Sequence, residues 1–300
     1  MVMIVTRLAG RFLHIGWPRR VVGVLLFLGS LIFLIRALAG LDPMGQIAKL
    51  EPSAPVALLV LAVLYSVSLL LLAGSWGLLA TGFRPLSLCD LFAVYGRSVL
   101  AKYLPGGVLQ YGSRQWSGGS IGLDQRAMAR ASGIEIILHL VCSGLILMIL
   151  SSLDRTFVPL AAVVIMAFLV ILTGLGWRCR RTLLVATCLQ GLFFIDFWLI
   201  AFGTGWTMLH DADSATRLAM LLLVGWLAGF VLPFVPGGIG VREAVIVALG
   251  AGHVDPAMLV AFAALTRLVT LGGDLMLGLI AYALPLAGTD RANRQTSASQ

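Results

Sequence analysis

The chain has 300 residues, of which 60% are hydrophobic and only 11% are charged. Soluble domains carry about 25% charged residues, so this composition excludes a soluble globular domain. The net charge of +8 would suit nucleic acid, but the basic residues lie at the ends of apolar runs, where they orient membrane helices. We therefore expect an all-α polytopic membrane protein with no nucleic-acid partner.

The apolar runs predict about six full transmembrane helices within a single membrane domain over residues 1–286. A run of roughly 20 apolar residues crosses the hydrocarbon core as a helix. The predicted helices cover residues 18–40, 55–80, 132–152, 157–177, 182–206 and 257–285. Residues 287–300 are predicted to form a disordered cytoplasmic tail.

Basic clusters beside the predicted helices indicate how they are oriented. Cytoplasmic loops are enriched in Lys and Arg, which places residues 7–20, 178–181 and 291–294 in the cytoplasm, together with both termini. The first predicted helix also resembles the apolar part of a signal peptide, and we expect it to be an uncleaved anchor. The four cysteines show no CxxC spacing, so neither a metal site nor a disulfide framework is predicted.

Two segments, 87–120 and 217–250, interrupt the pattern of full helices. Each contains an apolar run, a Pro-Gly-Gly triplet and then an arginine, with the triplets at 105–107 and 236–238. Such a triplet ends a helix, and irregular backbone is tolerated at membrane depth only inside protein or beside a wet cavity. We interpret both segments as re-entrant hairpins of an inverted repeat, whose helix breaks meet near the middle of the bilayer. The alternative is that one or both triplets are surface loops between full helices.

Residues in and around the two triplets are the candidate substrate-binding groups. Their backbone N–H groups and guanidinium groups are donors suited to a phosphate. The set consists of Arg97, Lys102, Gly106, Gly107, Arg114, Gly237, Gly238, Arg242 and Glu243. The alternative for Lys102 and Arg114 is anchoring at the membrane surface, and for Arg242 it is a structural ion pair with Asp196 or Asp274.

Further polar residues lie within predicted helices, where charge is unfavourable and commonly functional. They are Glu135, His139, Asp196, Arg267 and Asp274. Glu135 and His139 share one helical face, and a proton relay or a structural hydrogen bond is favoured over a metal site because no third ligand has suitable spacing. Arg267 and Asp274 lie about two turns apart and face the same way. The sequence contains no recognisable catalytic or cofactor-binding motif, so we expect no metal, cofactor or catalytic residue.

The elements AKYLPGGVLQYGSR and LPFVPGGIGVREA resemble those of the flippase-like membrane domain of lysylphosphatidylglycerol synthases and of stand-alone bacterial and archaeal proteins. The resemblance covers residues 15–285 and is most specific at 236–243. It implies translocation of a phospholipid or polyprenyl-phosphate-linked head group across the bacterial cytoplasmic membrane, and it leaves open a homo-oligomer or a biosynthetic enzyme partner. Lysyl transfer, which needs the soluble domain of the synthases, is not expected of this chain. The alternative function is a membrane-embedded enzyme, or an accessory subunit, of lipid or glycolipid biosynthesis.

Overall fold

The computed structural model describes residues 42–82, 86–103, 109–151, 177–232, 238 and 240–284, and these segments are helical without strands. The helices are α1 (Pro43–Ala48), α2 (Ala54–Thr81), α3 (Leu88–Ala101), α4 (Leu109–Ser120), α5 (Gln125–Ser151), α6 (Trp177–Leu209), α7 (Ala212–Val231), α8 (Val241–Gly250) and α9 (Pro256–Ala283). The predictions that lie outside the described residues are the helix at 18–40, the helix at 157–177 apart from its last residue, the triplet 105–107, the first two residues of the triplet 236–238 and the tail 287–300.

Five of the described helices, α2, α5, α6, α7 and α9, are long and apolar enough to cross a membrane. Four of them correspond to the helices predicted at 55–80, 132–152, 182–206 and 257–285. The described part of the chain therefore has the fold class expected from composition, a helical polytopic membrane protein. The fifth, α7, lies in the segment that the sequence predicts as one arm of a re-entrant hairpin.

Capping residues extend two of these helices beyond their predicted starts. Asp124 accepts a hydrogen bond from the backbone N–H of Ala127 at 2.7 Å, so α5 begins seven residues before its predicted start at 132. Asp211 accepts one from Ser214 N at 2.9 Å and caps α7 in the same way. Hydrogen bonds from the side chain and backbone of Ser214 lower the pKa of Asp211. With this cap α7 reaches 20 residues, whereas α8 has 10 residues and, at roughly 1.5 Å per residue, is too short to span.

The described helices from α2 onward fall into two groups of four, and each group begins and ends with a long helix. The long helix α2 precedes the short pair α3 and α4 and then the long helix α5, and α6 precedes α7, the short α8 and then the long helix α9. Within each group the two arms pack against each other, α3 on α4 and α7 on α8. Between the groups α2 packs against both α6 and α9, and α9 packs against α3.

Two glycines of α7 allow the chain after the second triplet to approach this helix closely. A Cβ atom at Gly225 would lie 2.8 Å from the carbonyl oxygen of Arg242, and one at Gly229 would lie 3.1 Å from Cα of Gly238. Glycines four residues apart commonly permit such backbone contact between membrane helices. Gly238 itself has φ +68°, a conformation that residues with a side chain rarely adopt. This contact fixes the position of Arg242 in the bundle.

The distribution of polar and apolar side chains is reversed relative to a soluble protein. Leu268 and Leu279 on α9 are 62% and 64% exposed, and Val60 on α2 is 52% exposed. Asp274, on the same helix as the two leucines, is fully buried. Apolar residues on the outside and a charge in the interior are typical of helices surrounded by lipid.

Candidate functional site

A cavity of about 410 Å³ lies among the long helices and receives side chains from both groups of helices. Its volume falls within the roughly 300–1,000 Å³ of pockets that enclose small molecules. Charged groups are unusual inside a membrane bundle and mark pathways for substrates or ions. The charged residues of its wall are Lys102, Arg114, Glu135, Arg242, Arg267 and Asp274.

Arg114 and Glu135 form a closed, buried ion pair on one side of the cavity. The guanidinium Nη1 donates to Glu135 Oε2, and Nε donates to the hydroxyl of Ser98 at 2.9 Å. The hydroxyl of Tyr95 donates to Glu135 Oε1 at 2.9 Å, and the guanidinium carbon lies 4.0 Å from the centre of the Tyr95 ring. Both oxygens of Glu135 and two of the three guanidinium nitrogens of Arg114 are thus engaged, and such additional hydrogen bonds help a buried ion pair to be tolerated. Arg114 is thus a buried residue of the cavity wall and is not a surface anchor.

Asp274 connects the last helix to the end of the first short helix. Its Oδ2 accepts from Lys102 Nζ at 2.7 Å and from the hydroxyl of Tyr103. These two donors directly follow α3 and precede the first triplet, so the contact joins the first group of helices to α9. The other carboxylate oxygen, Oδ1, has no hydrogen-bond partner among the described residues.

Arg242 is the cation of the cavity wall that remains without an acidic partner in the described segments. It is the second residue of α8, its side chain is 6% exposed, and its guanidinium lies 5.6 Å from the centre of the Phe197 ring. The described residues provide no carboxylate within 4.0 Å of it and no hydrogen-bond partner for its Nη2. The alternative predicted for Arg242, an ion pair with Asp274 or Asp196, is therefore not formed in this structure.

Glu243, the neighbour of Arg242, is engaged elsewhere. Its Oε2 accepts from the backbone N–H of Gly240 at 2.7 Å, which caps the start of α8. Its Oε1 pairs with Nε of Arg267 at 3.4 Å. Because Glu243 neutralises Arg267, the positive charge of Arg242 is left uncompensated by its own helix.

His139 contributes an aromatic surface to the same cavity. Its Nδ1 donates to the backbone oxygen of Glu135 at 2.8 Å, and its ring stacks on Phe230 at 5.4 Å and meets Phe194 edge-on at 5.5 Å. Within the described segments, no three His, Cys, Asp or Glu side chains lie close enough together to hold a metal ion. His139 is therefore held in place by a local hydrogen bond and by stacking.

The structure brings together eight residues from the two sequence-predicted sets. These are Lys102, Arg114, Glu135, His139, Gly238, Arg242, Arg267 and Asp274. Arg97 lies outside the cavity and donates to the backbone oxygens of Ala281 at 3.1 Å and Leu284 at 2.7 Å, so it caps the end of α9. Asp196 also lies outside the cavity, half-buried on α6. Gly106, Gly107 and Gly237 are outside the described residues.

Sequence reasoning missed four tyrosines that line the cavity, Tyr65, Tyr95, Tyr103 and Tyr111. Two of them carried a local signal. Tyr103 directly follows Lys102 in the sequence. Tyr111 precedes Arg114 by three residues, and this spacing places Tyr111 and Arg114 on one face of α4. Tyr65 and Tyr95 carried none, because a tyrosine in an apolar helix is equally typical of packing.

No protein-family model matches the chain, and no curated protein sequence matches it. The resemblance to the flippase-like membrane domain therefore stays a prediction. The fold and the cavity define the class of protein. It is a helical polytopic membrane protein with a cavity between its helices that is lined by charged and aromatic side chains.

Proposed function

We propose that the protein moves a phosphate-bearing lipid head group between the two leaflets of a bilayer, with the cavity as the polar compartment through which the head group passes. The observation that carries this proposal is Arg242, a buried cation that faces the cavity without an acidic partner among the described residues. An uncompensated charge inside a membrane protein is expensive and is typically retained for a ligand. An anionic head group would supply the missing partner.

The local geometry at Arg242 suits an anion such as a phosphate. A guanidinium group binds phosphate oxygens in a bidentate manner. Arg242 also lies in the first turn of α8, where the positive end of the helix dipole adds attraction for an anion. The lipid tails need not enter the cavity and can stay in the surrounding hydrocarbon while the head group crosses.

A short helix after each triplet, α4 with 12 residues and α8 with 10, supports an inverted repeat with two re-entrant hairpins. Each short arm after a triplet carries one arginine of the cavity wall, Arg114 on α4 and Arg242 on α8. Interrupted helices at corresponding positions of two halves are typical of transport proteins with a central site. In this proposal α3–α4 and α7–α8 enter from opposite sides of the membrane.

The two arginines differ in how they are neutralised, and this difference assigns them separate roles. Glu135 compensates Arg114 within the first group of helices. The matching acid of the second group, Asp274, is held by Lys102 and Tyr103 from the first group and leaves Arg242 unpaired. We assign anion binding to Arg242 and a structural role to Arg114.

The state of the cavity acids favours transport over catalysis. Glu135 is bound by Arg114 and Tyr95, and Asp274 is bound by Lys102 and Tyr103. A general acid or base has to exchange its proton with the substrate, which a carboxylate locked in an ion pair does poorly. We place the protein in the bacterial cytoplasmic membrane with both termini in the cytoplasm, in accord with its basic clusters.

The experiment that tests this proposal is a leaflet-exchange assay with purified protein in unilamellar vesicles. The vesicles contain phospholipids or polyprenyl-phosphate sugars labelled with a fluorophore that membrane-impermeant dithionite reduces. In protein-free vesicles only the outer-leaflet label is lost. We expect the protein to expose the inner-leaflet label of at least one phosphate-bearing lipid. Loss of outer-leaflet label alone, for every lipid of the panel, would refute the proposal.

A further inference from the structure

Asp274, a residue of the cavity wall, has a buried carboxylate oxygen without a partner in the described part of the chain, whereas Arg242 has a buried donor without one. Its side chain is fully buried and lines the cavity, and Lys102 and Tyr103 occupy only its Oδ2. Oδ1 has no partner among the described residues. An ionised carboxylate oxygen is an acceptor only, and burying it unpaired is unfavourable. Oδ1 is therefore suited to a ligand group that carries an N–H or an O–H.

The acceptor and the buried guanidinium belong to one compartment. Arg242 and Asp274 line the same cavity, together with Tyr65 and Tyr103. The hydroxyl of Tyr103 directly contacts Asp274. A single ligand of head-group size in this cavity therefore lies beside two side chains with a polar atom that is unpartnered within the described segments, the donor Arg242 and the acceptor Asp274.

We infer that the head group carries, besides its phosphate, a hydrogen-bond donor that binds Asp274 Oδ1 while the phosphate binds Arg242. This inference rests on the proposed function and narrows its substrate class. An ammonium group and a hydroxyl of a glycerol or sugar share the required chemistry. A quaternary ammonium group and a plain alkyl phosphodiester do not, because neither has an N–H or an O–H.

Two matched pairs of lipids test the inference in the leaflet-exchange assay. Phosphatidylethanolamine and phosphatidylcholine share net charge and differ in N–H donors, and phosphatidylglycerol and phosphatidylpropanol share net charge and differ in hydroxyls. A hydrogen bond to a charged group corresponds to about tenfold or more in binding, so we expect the donor lipid of at least one pair to move about tenfold faster. Separation of one pair alone supports the inference and identifies the donor. Equal rates within both pairs would overturn it.

The variant Asp274→Asn tests whether Asp274 accepts the hydrogen bond from the head group. Lys102 and Tyr103 are both donors, so they will hold the amide oxygen and turn the amide NH₂ toward the position of Oδ1. In the lipid pair that wild-type protein distinguishes, we expect the ratio of the two movement rates to fall to below about twofold. This fall corresponds to the loss of most of one hydrogen bond to a charged group. Asp213→Asn, at an exposed acid in the first turn of α7, is the matched control and should keep the wild-type ratio. If Asp274→Asn keeps the wild-type ratio of rates, the inference is overturned. If this variant does not fold, the two lipid pairs measured with wild-type protein still test whether the head group needs a hydrogen-bond donor.

Binding measured apart from transport separates the two proposals. Short-chain forms of the four lipids are added to the protein in detergent, and the rise in its unfolding temperature is measured, because a ligand that binds only the folded state stabilises it. Tighter binding of the donor lipids without movement in vesicles would refute the proposed function and leave the head-group inference standing. Movement of all four lipids at equal rates, with equal binding, would refute the inference and leave the proposed function standing.

Discussion

The structure predicts that neutralising Glu135 destabilises the protein far more than removing Arg242. In Glu135→Gln the amide oxygen can still accept from Tyr95, but Arg114 loses its counter-charge. The side chain of Arg114 is 4% exposed, so the uncompensated charge cannot reach water. Removing one partner of a buried ion pair costs about 3–5 kcal/mol. We expect Glu135→Gln to lower the free energy of unfolding by about 3 kcal/mol, the lower end of this range, because the hydroxyl of Ser98 still accepts a hydrogen bond from the guanidinium group.

Three further variants complete the comparison. Arg114→Met combined with Glu135→Gln removes both charges, and because an apolar replacement of a buried pair is often neutral, it should recover to within about 1 kcal/mol of wild type. Arg242→Met removes a buried cation that has no acidic partner among the described residues, and it should change the stability by less than about 1 kcal/mol or raise it. Arg217→Met, at an exposed arginine of α7, is the matched control with an expected change within about 0.5 kcal/mol.

The measurement is the free energy of unfolding of purified protein in mixed micelles, from equilibrium titration with SDS followed by circular dichroism. The four variants and wild type are compared under the same conditions. If Glu135→Gln unfolds within about 0.5 kcal/mol of wild type, the pair with Arg114 does not stabilise the bundle, and the separate roles assigned to the two arginines would be wrong.

Three other predictions concern the arrangement of the chain. A phosphatase fused after Gln300 should be inactive and a cytoplasmic reporter active, because the basic clusters place both termini inside; an active phosphatase contradicts this topology. Gly106→Cys and Gly237→Cys, in a background without the four native cysteines, should become joined by a short bismaleimide if the helix breaks meet in mid-membrane, and absence of the cross-link in folded protein contradicts the inverted repeat. Gly225→Leu should lower the unfolding temperature and weaken lipid binding because its Cβ would lie 2.8 Å from the backbone oxygen of Arg242, whereas unchanged binding would show that this close contact does not position the site.

The membrane helices were predictable from sequence because their signal is local. The apolar runs behind α2 and α9 exceed the bilayer thickness, so composition alone indicates them. The extent of α7 was less predictable, since its start depends on the cap at Asp211, upstream of the apolar run. The alternation of long and short helices follows from the positions of proline and glycine, which are also readable in the sequence.

The candidate site was predictable in its residue types but not in its pairings. Charges inside apolar runs identified Arg114, Glu135, Arg242 and Asp274. Which of them pair depends on tertiary packing, because Tyr103 and Asp274 are 171 residues apart along the chain. The sequence offered Asp274 as a partner for Arg242, whereas the packing of α9 against the end of α3 gives it to Lys102. Because Asp274 pairs with Lys102, Arg242 has no acidic partner among the described residues, and the proposed ligand site rests on this observation.

The most direct test of the central claim is the rate of lipid movement in vesicles containing Arg242→Ala, compared with wild type and with the exposed control Arg217→Ala. Loss of a bidentate contact to a charged phosphate predicts a rate about tenfold or more below wild type, with Arg242→Lys in between and Arg217→Ala unchanged. Unfolding temperatures measured on the same preparations exclude misfolding as the cause. Wild-type movement of a phosphate-bearing lipid by folded Arg242→Ala would contradict the claim that this arginine binds the head group.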